Sequence, residues 1–253
     1  MNDLSTGIHN FEGRRKLLKV KNALEPMMSR GAIEYIAQQL QPTDVVLEWG
    51  SGGSTTVFSQ LVKKYISIEH KEEWYKEIKK HCSFIDSLET HYVGATCEQT
   101  EPDLAVPRCE YNTIFCKATH GRATISESTY HKIKKEHPYA HEGPVYSSIL
   151  RYWQFQDYVN KIYDLGVDKF DKIIIDGRSR TFCAYIAHNF MHKDSVLFID
   201  DVLCPHPAYG IQDPDGSFRQ ASRLEIEFGN SLENFYTETL AVDGTLALKL
   251  KRD

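Results

Sequence analysis

The sequence predicts an α/β protein: a doubly wound, mostly parallel seven-stranded sheet with helices on both faces and an antiparallel strand from a C-terminal hairpin. Three observations carry this expectation. From residue 44 onward short apolar runs alternate with segments of helical period. Four of those runs end in carboxylates, at Glu48, Glu69, Asp176 and Asp200. The chain closes with two strand-like runs, 234–240 and 245–250, joined by the turn Val242-Asp243-Gly244.

In chain order, residues 1–28 are polar and irregular apart from an apolar patch at Leu17, Leu18 and Val20, and read as an N-terminal arm, or a flap over the functional site, to a domain over 29–253. Between Ser29 and Leu40 apolar residues recur at 32, 33, 36, 37 and 40, which is helical spacing with Ser29 as N-cap. Pro42 cannot continue that helix. The spacing then predicts a strand over 44–48, a helix over 54–62, a strand over 64–69, a charged helix over 71–81 and a strand over 90–93. Residues 94–144 break the rhythm, being polar, histidine-rich and interrupted by Pro102, Pro107 and Pro138. A segment this long inside a domain is functional or irregular, and it is expected to be an insertion facing the substrate. The alternation resumes with a helix over 145–165, a strand over 170–176, a helix over 180–192 and a strand over 195–200. A helix over 218–228 precedes the closing pair.

The chain has 253 residues and a formal net charge of −5, enough length to bury a large core and no basic footprint for nucleic acid. Nucleic acid is therefore not expected as a partner. No run of eighteen apolar residues occurs, and the N-terminus lacks the apolar core of a secretory signal, so the expectation is a soluble cytoplasmic protein with no membrane partner. The six cysteines show neither Cys-x-x-Cys nor zinc-ligand spacing and read as reduced thiols. The arm is compatible with a homodimer.

The most informative stretch runs from Val45 to Thr56, an apolar strand ending in Glu48-Trp49 and breaking into Gly50-Ser51-Gly52-Gly53-Ser54. Gly50 and Gly52 carry no Cβ and let a ligand lie against bare backbone. The helix that follows begins with unpaired N–H groups. A dinucleotide fingerprint would need a third glycine where Thr55 stands, and a P-loop would need Gly-Lys-Ser/Thr. The stretch resembles motif I of the class I S-adenosylmethionine-dependent methyltransferases, an apolar strand, an acid, then Gly-x-Gly. That resemblance, which spans roughly 29–250, implies a Rossmann-like fold with S-adenosylmethionine held by Glu48, Gly50, Ser51, Gly52 and Ser54. Glu69, nineteen residues after Gly50 at the end of the second strand, is placed to accept hydrogen bonds from ribose hydroxyls. His70 beside it can flank the adenine.

Asp176 and the pair Asp200-Asp201 close two strands expected to be neighbours. Carboxylates that converge repel one another, and a hard divalent cation with oxygen ligands relieves the repulsion. Ile175-Asp176-Gly177 and Ile199-Asp200-Asp201, the latter followed by a loop containing Pro205, resemble the metal-dependent macrocin-type sugar O-methyltransferases. The catechol-type enzymes are similar, with Asp-Asn in place of Asp-Asp. The resemblance implies that Asp176, Asp200 and Asp201 bind Mg²⁺ or another divalent cation, which would stabilise an alkoxide on a small-molecule or glycan acceptor. Here Arg178-Ser179-Arg180 follows Asp176-Gly177, where the macrocin type has acidic and aromatic residues and the catechol type has a lysine close by as base. Arginine stays protonated, which leaves Asp176 as the proton acceptor. It also opens an alternative in which the arginines neutralise the acids and no metal is needed, as in a metal-independent methyltransferase acting on a protein or another small molecule. A second alternative is a non-catalytic nucleotide-binding protein of the same fold.

Overall fold

Five segments lie side by side as parallel strands: β1 (Val45–Trp49), β2 (Lys64–Glu69), β3 (Leu88–Tyr92), β4 (Phe170–Ile175) and β5 (Met191–Ile199). The structure, a computed structural model, describes residues 11–95, 155–201, 205–212, 218–222, 235–242 and 244–251. Two further strands, β6 (Pro205–Gln212) and β7 (Phe218–Ser222), pair with each other as a separate antiparallel ribbon. The last two, β8 (Tyr236–Val242) and β9 (Thr245–Leu250), complete the main sheet. β9 runs antiparallel to β5 and β8 antiparallel to β9, so the order is 3-2-1-4-5-9-8 with β9 alone reversed.

Side chains alternate across the sheet with the period of a strand. Leu47, Trp49, Ile173, Ile175, Leu197 and Ile199 bury on one face. Val46, Ile174, Val196 and Phe198 bury on the other. The first face is covered by the helical segment 155–160, the 3₁₀ turn Lys161–Asp164 and a helix over Arg180–Ala187. The second is covered by α2 (Arg30–Gln39) and α3 (Gly53–Phe58) through Ile36, Ala37, Leu40, Val57 and Phe58. Burying each such side chain stabilises the fold by about 1.5–3 kcal/mol. Ser29 caps α2 as its composition predicts, its hydroxyl accepting from Ala32 N at 3.1 Å. α4 (Glu72–His81) follows β2, and the Arg180–Ala187 helix becomes α5.

The arm holds a helix that periodicity did not predict, α1 (Phe11–Leu17), tied to α2 by Arg14 Nε on Glu34 Oε1 at 2.9 Å. Residues 218–222, expected to open a helix, form β7 instead, paired with β6. β5 begins at Met191, four residues earlier than expected, so α5 stops at Ala187 with a 3₁₀ turn over His188–Phe190. The insertion at 94–144 and Cys97, Cys109, Cys116 and Cys204 lie outside the described residues, except that 94 and 95 follow β3 as irregular chain. Cys82 and Cys183 are buried free thiols. Among the described residues no helix is long and apolar enough to cross a membrane.

The order 3-2-1-4-5 reverses direction between β1 and β4. Connections leaving the two strands go to opposite faces, and a crevice opens at their carboxyl ends. The glycine turn follows β1 there, and Asp176 follows β4.

Candidate active site

The turn after β1 is shaped from below. Glu48, fully buried, accepts hydrogen bonds from the hydroxyls of Ser54, Thr55 and Ser67. Ser67 stands opposite Glu48 in the β1–β2 register and also bonds Ser51 Oγ at 2.7 Å, so the carboxylate anchors both ends of the glycine turn. Burial raises the Glu48 carboxyl to about 6 while the hydroxyls pull it back. Gly50 has φ +99°, and a Cβ on it would lie 2.5 Å from Gly177 N, so β1 and β4 exits cross in contact through two glycines. A Cβ on Gly52 would find nothing nearer than Ser54 Oγ at 3.8 Å, so the backbone there is open to a ligand.

At the end of β2, Glu69 is 3 % exposed and held on both oxygens: Ser51 N donates to Oε2 at 2.9 Å and Lys71 N to Oε1 at 2.7 Å. His70 Nδ1 lies 3.0 Å from Oε1 but without the angle of a hydrogen bond. Its ring packs edge-on against Phe155 and Tyr158. Trp74 on α4 donates its indole N–H to Ser51 O, roofing the turn from the helix side.

Asp176 and Asp200 end β4 and β5, and Asp201 follows with φ +54°. Arg180, first residue of α5, reaches back between the two strand ends. Its Nη2 is 3.2 Å from Asp176 Oδ1, and it donates to the carbonyls of Gly177, Asp176 and Asp200. Asp200 Oδ1 accepts from the Thr245 hydroxyl of β9. Burial pushes the Asp176 carboxyl up to about 7; Arg180 opposes this, and Asp200, Glu48 and Asp201 add to it. The donor set fits a divalent cation poorly. A guanidinium already pairs with the Asp176 carboxylate and with the main-chain carbonyls there, and among the described residues no three His, Cys, Asp or Glu side chains stand close enough to share an ion.

These groups line one cleft of about 1230 Å³. Gly50, Ser51, Gly52, Ser54, Glu69, His70, Asp176, Asp200 and Asp201 all face it; Glu48 does not, lying beneath the turn. Reading the sequence missed Trp74 and left open whether the arm reaches the site; Leu24, Glu25 and Met27 of the arm form one wall of the cleft. The arm docks by backbone, Glu25 and Pro26 lying against Gly53 and Leu24 N donating to Thr56 Oγ1 at 2.9 Å, and such contacts leave no pattern of residue types.

Among solved structures the chain is similar to a methyltransferase-like protein from Silicibacter pomeroyi, with 19% identity, 91% of this chain and 90% of that chain covered, and a TM-score of 0.51. This chain has a methyltransferase fold. An rRNA methylase from Streptococcus thermophilus shares 10% identity over 90% of this chain and all of that one, with a TM-score of 0.42. A ribosomal protein L11 methylase from Lactobacillus delbrueckii subsp. bulgaricus shares 9% over 90% of each chain, with a TM-score of 0.40. No model of a known protein family matches the sequence, and no curated protein does. At these identities the likeness is one of fold, and within the methyltransferase fold the chemistry rests on the cleft's own residues.

Proposed function

We propose that this protein is an S-adenosylmethionine-dependent O-methyltransferase acting on a hydroxyl of a small molecule or glycan, with a sugar as the first acceptor to try. The observation that carries the reading is the fixed Glu69 carboxylate in the same cleft as the open Gly52 backbone and Asp176. S-adenosylmethionine, when bound, supplies a methyl group on a sulfonium whose sulfur keeps the electron pair as the carbon is transferred. Glu69 accepts the ribose hydroxyls with the lone pairs its backbone donors leave open. The glycine turn admits the ligand against its backbone, and the His70 ring borders the adenine. Asp176 takes the acceptor's proton as the oxygen bonds to the methyl carbon. A carboxyl raised to about 7 is matched to that task near neutral pH. Asp200 and Asp201 extend an acidic wall that suits the hydroxyls of a polyol and disfavours a polyanion such as nucleic acid. The reading gives Mg²⁺ no step, because Arg180 is the cation paired with Asp176.

Calorimetric titration with S-adenosylhomocysteine, with NAD as control, tests it. Micromolar binding that weakens at least tenfold in Glu69→Ala supports the cofactor. Transfer of labelled methyl to a panel of sugars should then fall by about 10²–10⁴ in Asp176→Asn with S-adenosylhomocysteine affinity kept. No binding to folded wild-type protein would remove the reading.

A further inference from the structure

Three carboxylates, Asp176, Asp200 and Asp201, face one cleft at the ends of adjacent strands, and Asp200 is only 7 % exposed. Like charges withdrawn from water need a counter-cation or must give up their charge. The side chain of Arg180 is 17 % exposed and sits at this junction. Nε donates to Gly177 O at 3.0 Å, Nη2 to Asp176 O at 3.1 Å and Nη1 to Asp200 O, while Nη2 also pairs with Asp176 Oδ1. A guanidinium has a rigid fork of donors and no lone pair, so it ties carbonyls and carboxylate together and cannot itself ligate a metal. A divalent ion such as Mg²⁺ at the strand ends would compete with the guanidinium for the Asp176 carboxylate and would be repelled by its charge.

We propose that Arg180 is the resident cation of this site, taking the place that the acidic strand ends would otherwise give to a divalent metal, and that it positions Asp176 by clamping the ends of β4 and β5. The guanidinium is wider than a metal ion and keeps the acids spread. That agrees with the lack of a three-ligand cluster among the described residues. The inference stands on the strand ends and does not depend on methyl transfer.

The test is a set of thermal melts and Mn²⁺ titrations on wild type, Arg180→Gln and Arg180→Lys, with S-adenosylhomocysteine affinity measured on each. Wild type is expected to melt at the same temperature in millimolar Mg²⁺ and in chelator. Arg180→Gln, with Asp176 deprived of its guanidinium, should melt lower and recover about 3 °C or more in Mn²⁺ at ten times its dissociation constant. Arg180→Lys should sit between the two without a metal response. If Arg180→Gln does not fold, the wild-type and lysine responses still decide. A wild-type protein stabilised by Mg²⁺ or Mn²⁺ and destabilised by chelator would overturn the proposal, as would a folded glutamine variant that melts like wild type and ignores Mn²⁺. Loss of S-adenosylhomocysteine binding in wild type bears on the function and leaves this result standing.

Discussion

Glu48 is a carboxylate with no cation among its hydrogen-bond partners; its donors are the hydroxyls of Ser54, Thr55 and Ser67. Its folded pKa, about 6, lies above the ordinary value of 4.5 because burial disfavours the charge. The folded protein therefore holds this proton more tightly than the unfolded chain does. The associated stability is present in full below the ordinary value and is lost as pH rises through about 6. In Glu48→Gln that dependence disappears. The unfolding free energy of wild type minus that of the variant should fall by about 2 kcal/mol between pH ~4 and pH ~8, read from denaturant melts. A flat difference would mean that the hydroxyls fully offset burial. Gly50 makes a second residue-scale prediction. Its φ of +99° and its contact with Gly177 leave no room for a methyl group. Gly50→Ala should lose about 1–3 kcal/mol of stability and bind S-adenosylhomocysteine measurably less well than wild type.

At the scale of elements, the arm between Val20 and Ser29 is a wall of the cleft built almost wholly from backbone contacts. Thr56 on α3 holds it, accepting from Leu24 N at 2.9 Å and donating to Gly53 O at 2.7 Å. Thr56→Val keeps the shape and removes the hydroxyl. S-adenosylhomocysteine should then bind about 2- to 10-fold more weakly, the worth of one hydrogen bond, with faster proteolysis before residue 29. Unchanged affinity would separate the arm from the ligand. The sequence leaves the arm's place at the site undecided for the same reason that it hides β7. Phe218 to Ser222 becomes a strand because β6 pairs with it, and no local period encodes a partner upstream. β1, β2, β4 and β5 were legible because each carries a run of apolar residues buried on both faces, whereas β3, with the sequence LETHY, has none buried; strand ends fixed the places of Glu69, Asp176 and Asp200. The sequence assigns Glu48 to the ligand because an acid beside a glycine turn looks the same whether it points up or down. Only the register with Ser67 and the hydroxyls of α3 show it pointing down.

Over the whole molecule the net charge is a modest −5, but its distribution matters more. The cleft is lined by Glu25, Glu69, Glu73, Glu77, Asp176, Asp200 and Asp201 against Lys71, Arg178 and Arg180. That excess of negative charge faces a ligand whose charge changes during the proposed reaction. S-adenosylmethionine carries one positive charge more than S-adenosylhomocysteine, and the two are otherwise nearly isosteric. A unit charge some 7 Å from one uncompensated carboxylate gains about 2 kcal/mol at the effective dielectric of a protein surface and about half of that once salt screens it, or roughly five- to thirty-fold in affinity. The cleft should therefore prefer the cationic cofactor to its neutral product, and sinefungin, with an amine at the sulfonium position, should bind like the former. Glu25, Glu73 and Glu77 are exposed, so their field is screened over roughly 10 Å at 0.1 M salt. Raising salt from about 50 mM to about 500 mM should shrink the preference and leave the affinity for S-adenosylhomocysteine nearly unchanged. Calorimetry with the three ligands at the two salt concentrations separates the explanations. Equal affinities at both would mean that local cations neutralise the acids, whereas a preference that ignores salt would locate it in the buried carboxylates at the ends of β4 and β5.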